Sequence, residues 1–252
     1  MSLDLLILPC RTDNFAYLLH DAASGATLAI DAPEAGPMVA ALDERGWKLS
    51  EIWLTHHHGD HVEAVEELRA AHGATVTGHA ADAHRLPRLD RALRPGDALE
   101  FAGVRAEMID VSGHTLGHVA YHLPSEALAF TGDSLMALGC GRLFEGTAPQ
   151  MWNSLSRLMA LPESTRILSG HDYIAGNAAF AASVEPENAA RDARVTAKQA
   201  GGPEAVHVTL GEEKATNPFL RVGDRAIRDK LGMDTDSDED VFAELRRRKD
   251  AF

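Results

Sequence analysis

Residues 55–61 read THHHGDH and carry four histidines and one aspartate directly after an apolar run. Residues two apart on an extended segment point to the same side, so His56 and His58 form one pair of candidate metal ligands. Asp60 and His61 follow across a glycine, where the chain can turn, and form a second pair. Because one tetrahedral metal needs only three or four protein ligands, this crowded loop predicts a site for two metals.

Three further motifs place a histidine or an aspartate after a small residue where a predicted strand ends. They are GHTLGH at residues 113–118, FTGD at 130–133 and LSGHD at 168–172. Any one of them alone would be interpreted as a turn. Their recurrence beside the histidine loop favours a shared site at the strand ends, which is where α/β proteins usually bind their ligands.

The pattern of strands and helices changes along the chain. Short apolar runs bounded by Gly, Pro, Asp or Ser predict strands at residues 5–9, 15–20, 27–31, 51–55, 75–78, 98–101, 105–110, 119–123, 127–131 and 166–169. Helices are predicted at residues 36–45, 61–71 and 149–160, which together with the strands indicates sheet layers covered by helices. After His171 strand patterns stop, and a helical C-terminal domain is predicted from about residue 172.

Signals of helix ends support this helical domain. Residues 187–200 predict a helix, and the segments beginning at Thr209 and Ser237 resemble capping boxes, with an aspartate as the fourth residue of the second. The last predicted helix ends in the basic run of residues 246–249, where positive charge complements the helix dipole.

Composition narrows the possible functions. The chain has 252 residues and a formal net charge of −14, which argues against nonspecific binding to nucleic acid or to anionic membranes. No apolar run approaches a membrane span and no signal peptide is recognised. With only two cysteines, a reducing, cytoplasmic compartment is expected. The two cysteines, Cys10 and Cys140, do not make a disulfide framework, so a metal site must be built from histidine and aspartate.

The motifs THHHGDH, SGHTLGH, TGDS and SGHDY resemble those of the metallo-β-lactamase superfamily. The resemblance covers residues 1–171 and implies an α/β fold, a four-layer αββα sandwich with a binuclear metal site at one edge of the two sheets. By match to the superfamily motifs, the first metal would be bound by His56, His58 and His114, and the second by Asp60, His61 and His171, with Asp133 as the bridge. Two zinc ions are expected, although iron or manganese also suits these ligands.

Further segments resemble glyoxalase II, the hydroxyacylglutathione hydrolase family. They are GCGRLFEGT at residues 139–147, the stretch 170–188, EEKATNPFLR at 212–221 and the ending RRRKDAF. The resemblance extends over nearly the whole chain and implies that residues 172–252 form a helical glutathione-binding domain. It also implies hydrolysis of S-(2-hydroxyacyl)glutathione thioesters, with S-D-lactoylglutathione converted to D-lactate and glutathione in methylglyoxal detoxification.

The same resemblance implies which residues bind the substrate. They are Arg142, Phe144, Tyr173, Arg221 and Arg225. Glutathione carries two carboxylates, and an acidic protein needs a local cationic clamp for them, which arginine provides with two hydrogen bonds. The family commonly has Lys in place of Arg142 and Tyr in place of Phe144, and Phe144 lacks the hydroxyl that could bond the glutathione peptide.

The expected mechanism is attack on the thioester carbonyl by a hydroxide held between the two metals, with Asp60 and Asp133 as the catalytic carboxylates. One alternative is a glutathione persulfide dioxygenase with a single iron, and another is a different hydrolase on the same fold. A noncatalytic metal-binding module is a third possibility. The protein is expected to act as a monomer.

Three polar residues near the motifs have different expected roles. Alternation along the chain predicts that His57 points away from its two neighbours and is not a ligand. His118 is expected to pack beside the site. Asp31 ends a predicted strand and either orients a ligand histidine or simply makes a turn.

Overall fold

The computed structural model describes residues 3–201 and 206–252, and the chain forms two compact units. The first contains the residues up to 110 together with residues 117–132. The second contains residues 111–116 and the residues from 133 onward. The domain boundary predicted near residue 171 therefore falls inside the second unit.

The first unit begins with a six-stranded sheet whose strands lie in chain order. These strands are β1 (Asp4–Cys10), β2 (Asn14–Asp21), β3 (Ala26–Ile30), β4 (Lys48–Trp53), β5 (Thr75–His79) and β6 (Arg91–Leu93). The pairs β1–β2 and β2–β3 are antiparallel, whereas β3 to β6 pair in parallel. Parallel neighbours need a crossover connection, which explains the helical segments between them.

Two of these connections form helices, α1 (Ala35–Arg45) and α3 (Val65–His72), and both bury their apolar side on the sheet. Met38 and Leu42 of α1 and Leu68 of α3 are fully buried in one cluster with Ile52 and Val76 of the sheet. These helices therefore cover one face of the sheet.

A second group of strands in the same unit faces the first sheet. It comprises β7 (Leu99–Phe101), β8 (Val104–Asp110), β9 (Val119–Leu123) and β10 (Leu128–Gly132), each antiparallel to the next. The rings of Tyr17 on β2 and Phe130 on β10 meet edge to face at 5.2 Å, and the Tyr121 hydroxyl donates to the Leu54 carbonyl at 2.8 Å. Both faces of β2 are thus covered, which explains why all its residues are buried.

The helix predicted at residues 61–71 is divided into two. α2 (Gly59–Val62) ends before α3 begins. The His61 carbonyl accepts from Ala32 N at 2.8 Å, and Ala64 N donates to the Ala32 carbonyl at 3.0 Å. The loop after β3 therefore takes hydrogen bonds that a continuous helix would have used. The prediction of one helix was wrong because these partners are distant in sequence.

The second unit contains one short hairpin, one further strand and several helices. The strands are β11 (Leu135–Met136), β12 (Gly139–Cys140) and β13 (Arg166–Ser169). The helices are α4 (Ala148–Met159), α5 (Ile174–Val184), α6 (Ala189–Ala200), α7 (Leu210–Thr216), α8 (Arg225–Leu231) and α9 (Asp238–Asp250). Phe219 packs between Phe180 of α5 and Phe242 of α9, with ring centroids 5.8 Å apart in both pairs.

The two predicted capping boxes differ in the structure. At Thr209 the box is complete, because its side chain accepts from Glu212 N and the Glu212 carboxylate accepts from Thr209 N at 2.9 Å. At Ser237 the side chain accepts from Asp240 N at 3.1 Å, but the Asp240 carboxylate bonds the Ser237 hydroxyl instead of completing the box. Aspartate is one methylene shorter than glutamate, so the second box was predicted wrongly.

Within residues 3–201 and 206–252, none of the helices combines the length and the apolar composition that crossing a membrane requires.

Candidate metal centre

The histidine loop follows β4 and brings two imidazoles together. His56 is buried, and its Nε2 lies 3.1 Å from Nδ1 of His58. Two nitrogen ligands of one tetrahedral zinc lie about 3.4 Å apart, given Zn–N bonds of about 2.0–2.1 Å. The spacing of this pair is therefore close to what a shared metal requires.

His57 points elsewhere, as the alternation predicted. Its Nδ1 lies 3.0 Å from Oδ2 of Asp82, a buried carboxylate that also accepts from Arg85 Nε at 2.6 Å. His118 stacks on His56 with ring centroids 4.6 Å apart, in the packing role expected for it. These contacts fix the direction of the loop without using its candidate ligand atoms.

Asp31 orients one of the candidate ligands. Its carboxylate accepts from Thr55 N, from Thr55 Oγ1 and from His61 Nδ1, each at 2.8 Å. A carboxylate can only accept, so the proton of neutral His61 is on Nδ1 and Nε2 is left as the ligand atom. Of the two roles considered for Asp31, orientation of a histidine is the one confirmed. The residue adopts φ 58°, a left-handed conformation that Asp tolerates better than most residues.

The Thr55 hydroxyl extends this arrangement to His56. Its single proton goes to Asp31, so the hydroxyl oxygen is the acceptor for His56 Nδ1 at 3.1 Å. His56 is thereby held with its proton on Nδ1 and with Nε2 as its ligand atom. One aspartate and one threonine thus set the tautomers of two histidines.

We expect Asp31→Asn to weaken metal binding about 10–100-fold, the usual effect of losing a partner behind a ligand. The amide can present its NH2 group to His61 Nδ1 and to Thr55, so the histidine loses its fixed tautomer. The measurement is zinc affinity by competition with a chromophoric chelator. Asp21→Asn is the control, because Asp21 is also a buried aspartate ending a strand but bonds only the turn at Ser24. Equal zinc affinity in wild type and Asp31→Asn would contradict this role.

Asn14 supports Asp60 and was missed by the sequence analysis. It begins β2, and its Nδ2 donates to the Asp60 carbonyl at 3.0 Å and to Asp60 Oδ2 at 3.1 Å. The carboxylate of Asp60 lies 3.8 Å from His61 Nε2. An asparagine between two strands is typical of a turn, so its sequence context carries no signal of this contact.

The second unit holds the remaining candidate ligands. One oxygen of Asp133, Oδ2, lies 3.5 Å from His114 Nε2 and 3.3 Å from His171 Nε2. His114 Nδ1 lies 2.8 Å from the Arg142 carbonyl, which can only accept, so His114 also presents Nε2 as its ligand atom. All three candidate ligands are buried. An oxygen facing two imidazole nitrogens is the arrangement that a bridging carboxylate needs.

Gly141 makes this arrangement possible. A Cβ at this position would lie 1.9 Å from the Asp133 carbonyl oxygen and 3.1 Å from His114 Nδ1. Both neighbours belong to the candidate site, so any side chain at residue 141 would displace it. The second glycine of the GCG motif is therefore required by packing.

The donor set suits divalent transition metals. His56 with His58, and Asp60 with His61, belong to groups of side chains whose ligand atoms lie within 4.8 Å of one another. Imidazole and carboxylate donors suit zinc, iron and manganese. Burial raises the pKa of both Cys10 and Cys140 to about 11, so neither thiol is a ready thiolate ligand. The chain thus has candidate metal-binding groups built from histidine and aspartate.

Three of the predicted substrate-binding residues lie beside candidate ligands. The exposed ring of Phe144 meets His114 edge to face at 5.2 Å, and the exposed ring of Tyr173 stacks on His171 at 4.7 Å. The Arg142 side chain is 58% exposed, so its guanidinium is accessible from solvent.

Arg221 and Arg225, the other two predicted substrate-binding residues, differ from each other in their exposure and in their ion pairs. The Arg221 guanidinium is mostly buried and binds Glu185 and Asp224, with 2.6 Å between its NH2 and Asp224 Oδ2. Arg225 begins α8 with 94% of its side chain exposed and has only a loose ion pair with Asp229 at 3.7 Å. Of this pair, Arg225 is thus the more accessible to a ligand.

Arg246 and Lys249 of α9 add positive charge close to Arg142. From the sequence alone, the only role assigned to them was to complement the helix dipole. Asp250 Oδ1 lies 3.5 Å from Arg142 Nε and 2.8 Å from Arg246 NH2. Burial, and then the positive charges of Arg246 and Arg142, lower the pKa of Lys249. The helical spacing of Arg246 and Lys249, three residues apart, was the available signal that they share a face.

Comparison with known proteins gives matches over both parts of the chain. The family described as "Metallo-beta-lactamase superfamily" matches residues 16–171, and the one described as "Hydroxyacylglutathione hydrolase C-terminus" matches residues 172–252. A curated hydroxyacylglutathione hydrolase of Fuscovulum blasticum is 56% identical over the full length of both chains. Another, from Roseobacter denitrificans, is 54% identical, again over the full length of both.

Solved structures show the same fold. The crystal structure of ETHE1 from Myxococcus xanthus has a TM-score of 0.68 and 24% sequence identity, and the similarity covers 100% of this chain and 99% of that one. At this identity the likeness shows the fold alone, and it is the metallo-β-lactamase fold that the sequence motifs predicted.

Proposed function

The chain belongs to the hydroxyacylglutathione hydrolases of the metallo-β-lactamase superfamily, and on that premise we propose that it hydrolyses S-(2-hydroxyacyl)glutathione thioesters. The proposed substrate is S-D-lactoylglutathione, with D-lactate and glutathione as products in methylglyoxal detoxification. The observation that carries the proposal is the ligand set, because each of the seven predicted metal ligands is present and three of its imidazoles have their tautomer set by a neighbour.

We propose that the two ligand sets together bind two metal ions. His56, His58 and His114 would hold the first, Asp60, His61 and His171 the second, and Asp133 would bridge them. Zinc is the proposed metal, since its preferred donors include imidazole and carboxylate. When bound, such metals lower the pKa of water and polarise a carbonyl oxygen, which is the chemistry that thioester hydrolysis needs.

The chain's own residues would orient this chemistry. Asn14 holds the Asp60 carboxylate, which leaves Asp60 placed to accept a hydrogen bond from the attacking water. Tyr173, stacked on His171, would shield one side of the site from solvent. The leaving thiol has an ordinary pKa near 8.5, so departure of the thiolate needs no general acid.

Recognition of glutathione would use positive charge near the GCGR loop. The protein has a formal net charge of −14, so the two carboxylates of glutathione need a local cationic region. Arg142 and Lys249 provide it, and we propose that they receive the peptide part of the substrate, while the buried Arg246 adds positive charge beside them. Phe144 and Tyr173 would contact the same ligand through their exposed rings. Arg225 stays a predicted contact, and Arg221 would act by holding Glu185 and Asp224.

We expect Lys249→Met to raise KM for S-D-lactoylglutathione roughly tenfold and to change kcat less than about threefold, since a lost charge-assisted bond costs about 1.5–3 kcal/mol of binding. Steady-state kinetics at constant ionic strength measure this. Lys230→Met is the matched control, because Lys230 is an exposed lysine on α8. If the control raised KM as much, the effect would be due to net charge and the assignment of Lys249 would fail.

The experiment that tests the function uses the purified protein with its metal content measured on the same sample. Loss of thioester absorbance with S-D-lactoylglutathione is followed beside the lactoyl thioester of N-acetylcysteamine, which lacks the glutathione carboxylates. Rapid hydrolysis of the first, slow hydrolysis of the second and about two metals per chain would support the proposal. No hydrolysis, with one iron and oxygen uptake on glutathione persulfide, would favour the dioxygenase instead.

The remaining proposals concern the setting of the enzyme. We place it in the cytoplasm, where thiols stay reduced, because Cys10 and Cys140 are both buried and unbridged. We propose that it acts as a monomer, and size-exclusion chromatography with light scattering would measure the mass in solution.

A further inference from the structure

The hairpin β11–β12 begins at Leu135, shortly after Asp133, and forms a two-stranded sheet of its own. A two-stranded hairpin is only marginally stable by itself. Its residues are buried, so its backbone polar groups need partners other than water. The hairpin therefore needs hydrogen bonds and packing from neighbouring side chains to keep its conformation.

Asn217 binds both strands of this hairpin. Its Nδ2 donates to the Met136 carbonyl of β11 at 3.2 Å and to the Gly139 carbonyl of β12 at 2.9 Å. Its Oδ1 accepts from Phe219 N at 3.0 Å and so also caps the turn that follows α7. The side chain is fully buried. One amide thus ties the NPF motif to the two strands.

Glu213 and Asn177 bind the tip of the hairpin. Leu138 N donates to Glu213 Oε2 at 3.1 Å, and Asn177 Nδ2 donates to the Ala137 carbonyl at 2.9 Å. Leu138 has φ 58°, a left-handed conformation that is rare for leucine. The buried Glu213 carboxylate offsets part of the cost of that conformation by accepting the hydrogen bond.

Arg246 of α9 binds the end of the hairpin. Its NH1 donates to the Cys140 carbonyl at 2.9 Å. The hydrogen bonds of Asn177, Glu213, Asn217 and Arg246 therefore reach the backbone of each residue from Met136 to Cys140. We call these four side chains the hairpin clamp.

The base of the hairpin carries the metal site. Gly141 N donates to the Ser134 carbonyl at 3.1 Å, next to Asp133. Arg142 follows, and its carbonyl is the acceptor for His114 Nδ1 at 2.8 Å. A shift of the hairpin would therefore move both the Asp133 carboxylate and the acceptor that orients His114.

We propose that Asn217, supported by Glu213, is a positioning residue for the metal site and acts through the β11–β12 hairpin. The inference rests on the proposed metal-binding function. Under this inference, Asn217 of the NPF motif helps to position Asp133, the proposed bridging ligand, and does not itself bind the substrate. The C-terminal helices would then be required for metal binding as well as for binding glutathione.

The test uses Asn217→Ser and the matched control Asn188→Ser. Asn188 is also buried, accepts from a backbone N–H at a helix start through Oδ1, and donates through Nδ2 to Glu185 and to the Ala215 carbonyl. Serine keeps the capping oxygen in both variants and removes the amide donors. Only the first substitution removes bonds to the hairpin.

Zinc affinity by chelator competition, and the visible spectrum of the Co²⁺-loaded proteins, are measured with the unfolding temperature of each metal-free protein. We expect Asn217→Ser to bind zinc roughly 10-fold or more weakly, with an altered Co²⁺ spectrum, the usual size of effect for a group that positions a ligand. Asn188→Ser should bind zinc within about threefold of wild type while losing a similar amount of stability.

Several results would overturn the inference. If Asn217→Ser bound zinc as tightly as wild type, or if Asn188→Ser lost as much zinc affinity, the positioning role of Asn217 would be contradicted. The proposed function would be unaffected. If wild type itself bound no zinc, both would fall. Asn177→Ala, which removes the single bond to Ala137, replaces Asn217→Ser if that variant does not fold, and the same comparison with Asn188→Ser applies.

Discussion

Removal of the bound metals with a chelator is expected to abolish hydrolysis of S-D-lactoylglutathione, with a fall in kcat/KM of roughly 10³-fold or more. Metals supply several kcal/mol of transition-state stabilisation in such sites, and each 1.36 kcal/mol corresponds to a tenfold change in rate. The candidate ligands are imidazoles and carboxylates, and among the described residues they form the only groups suited to hold a metal ion. The measurement is steady-state hydrolysis before and after chelation and dialysis.

Reconstitution makes this prediction specific. Zn²⁺, Fe²⁺ and Mn²⁺ are added back separately, and the order in which they restore activity identifies the metals that the site accepts. Ca²⁺ is the control, because it prefers six to eight oxygen ligands at longer distances and should restore nothing. Full activity in the metal-free protein would contradict the proposed mechanism.

Replacement of Asp133 by alanine is expected to have the second large effect. Its Oδ2 lies 3.3–3.5 Å from the Nε2 atoms of His171 and His114, so its loss removes the carboxylate placed between them. We expect loss of at least one metal per chain and a fall in kcat/KM of about 10³-fold. Metal analysis and steady-state kinetics on the same preparation would measure both effects.

Asp172→Ala is the control for that substitution. Asp172 adjoins the last ligand in sequence, but its carboxylate pairs with Lys198 at 2.9 Å. This control should keep its metals and most of its activity. If Asp133→Ala were fully metallated and fully active, the proposed bridging role of Asp133 would be wrong.

Most strands could be predicted because their signals are local. Apolar runs bounded by turn residues located β8, β9 and β13 to within one residue. The short strand β6 and the hairpin β11–β12 were not predicted. Each of these strands is only two or three residues long, so none has enough positions to show a period.

The candidate ligands could also be recognised before the structure was known. Histidine and aspartate at the ends of several strands in one chain indicate a shared metal site, because both are common metal ligands and strand ends are common binding positions. Alternation alone placed His57 away from its neighbours, and its contact with Asp82 agrees with this. The roles of Asp31 and Asn14 needed the structure, because each acts on a residue more than twenty positions away.

Strands and helices could be predicted from the sequence because periodicity and turn residues are properties of short segments. The family and the candidate metal ligands followed from the resemblance of the motifs to those of known families, which is also carried by short segments. The contacts of the buried arginines could be assigned only from the structure, because their partners are brought to them by packing. Both Arg221 and Arg246 lie in the helical C-terminal part, yet Arg221 pairs with Glu185 and Asp224, whereas Arg246 pairs with Asp250 and also donates to the Cys140 carbonyl of the hairpin. The role proposed for Asn217 has the same origin, since hydrogen bonds to a strand about eighty residues away depend on packing and not on local pattern.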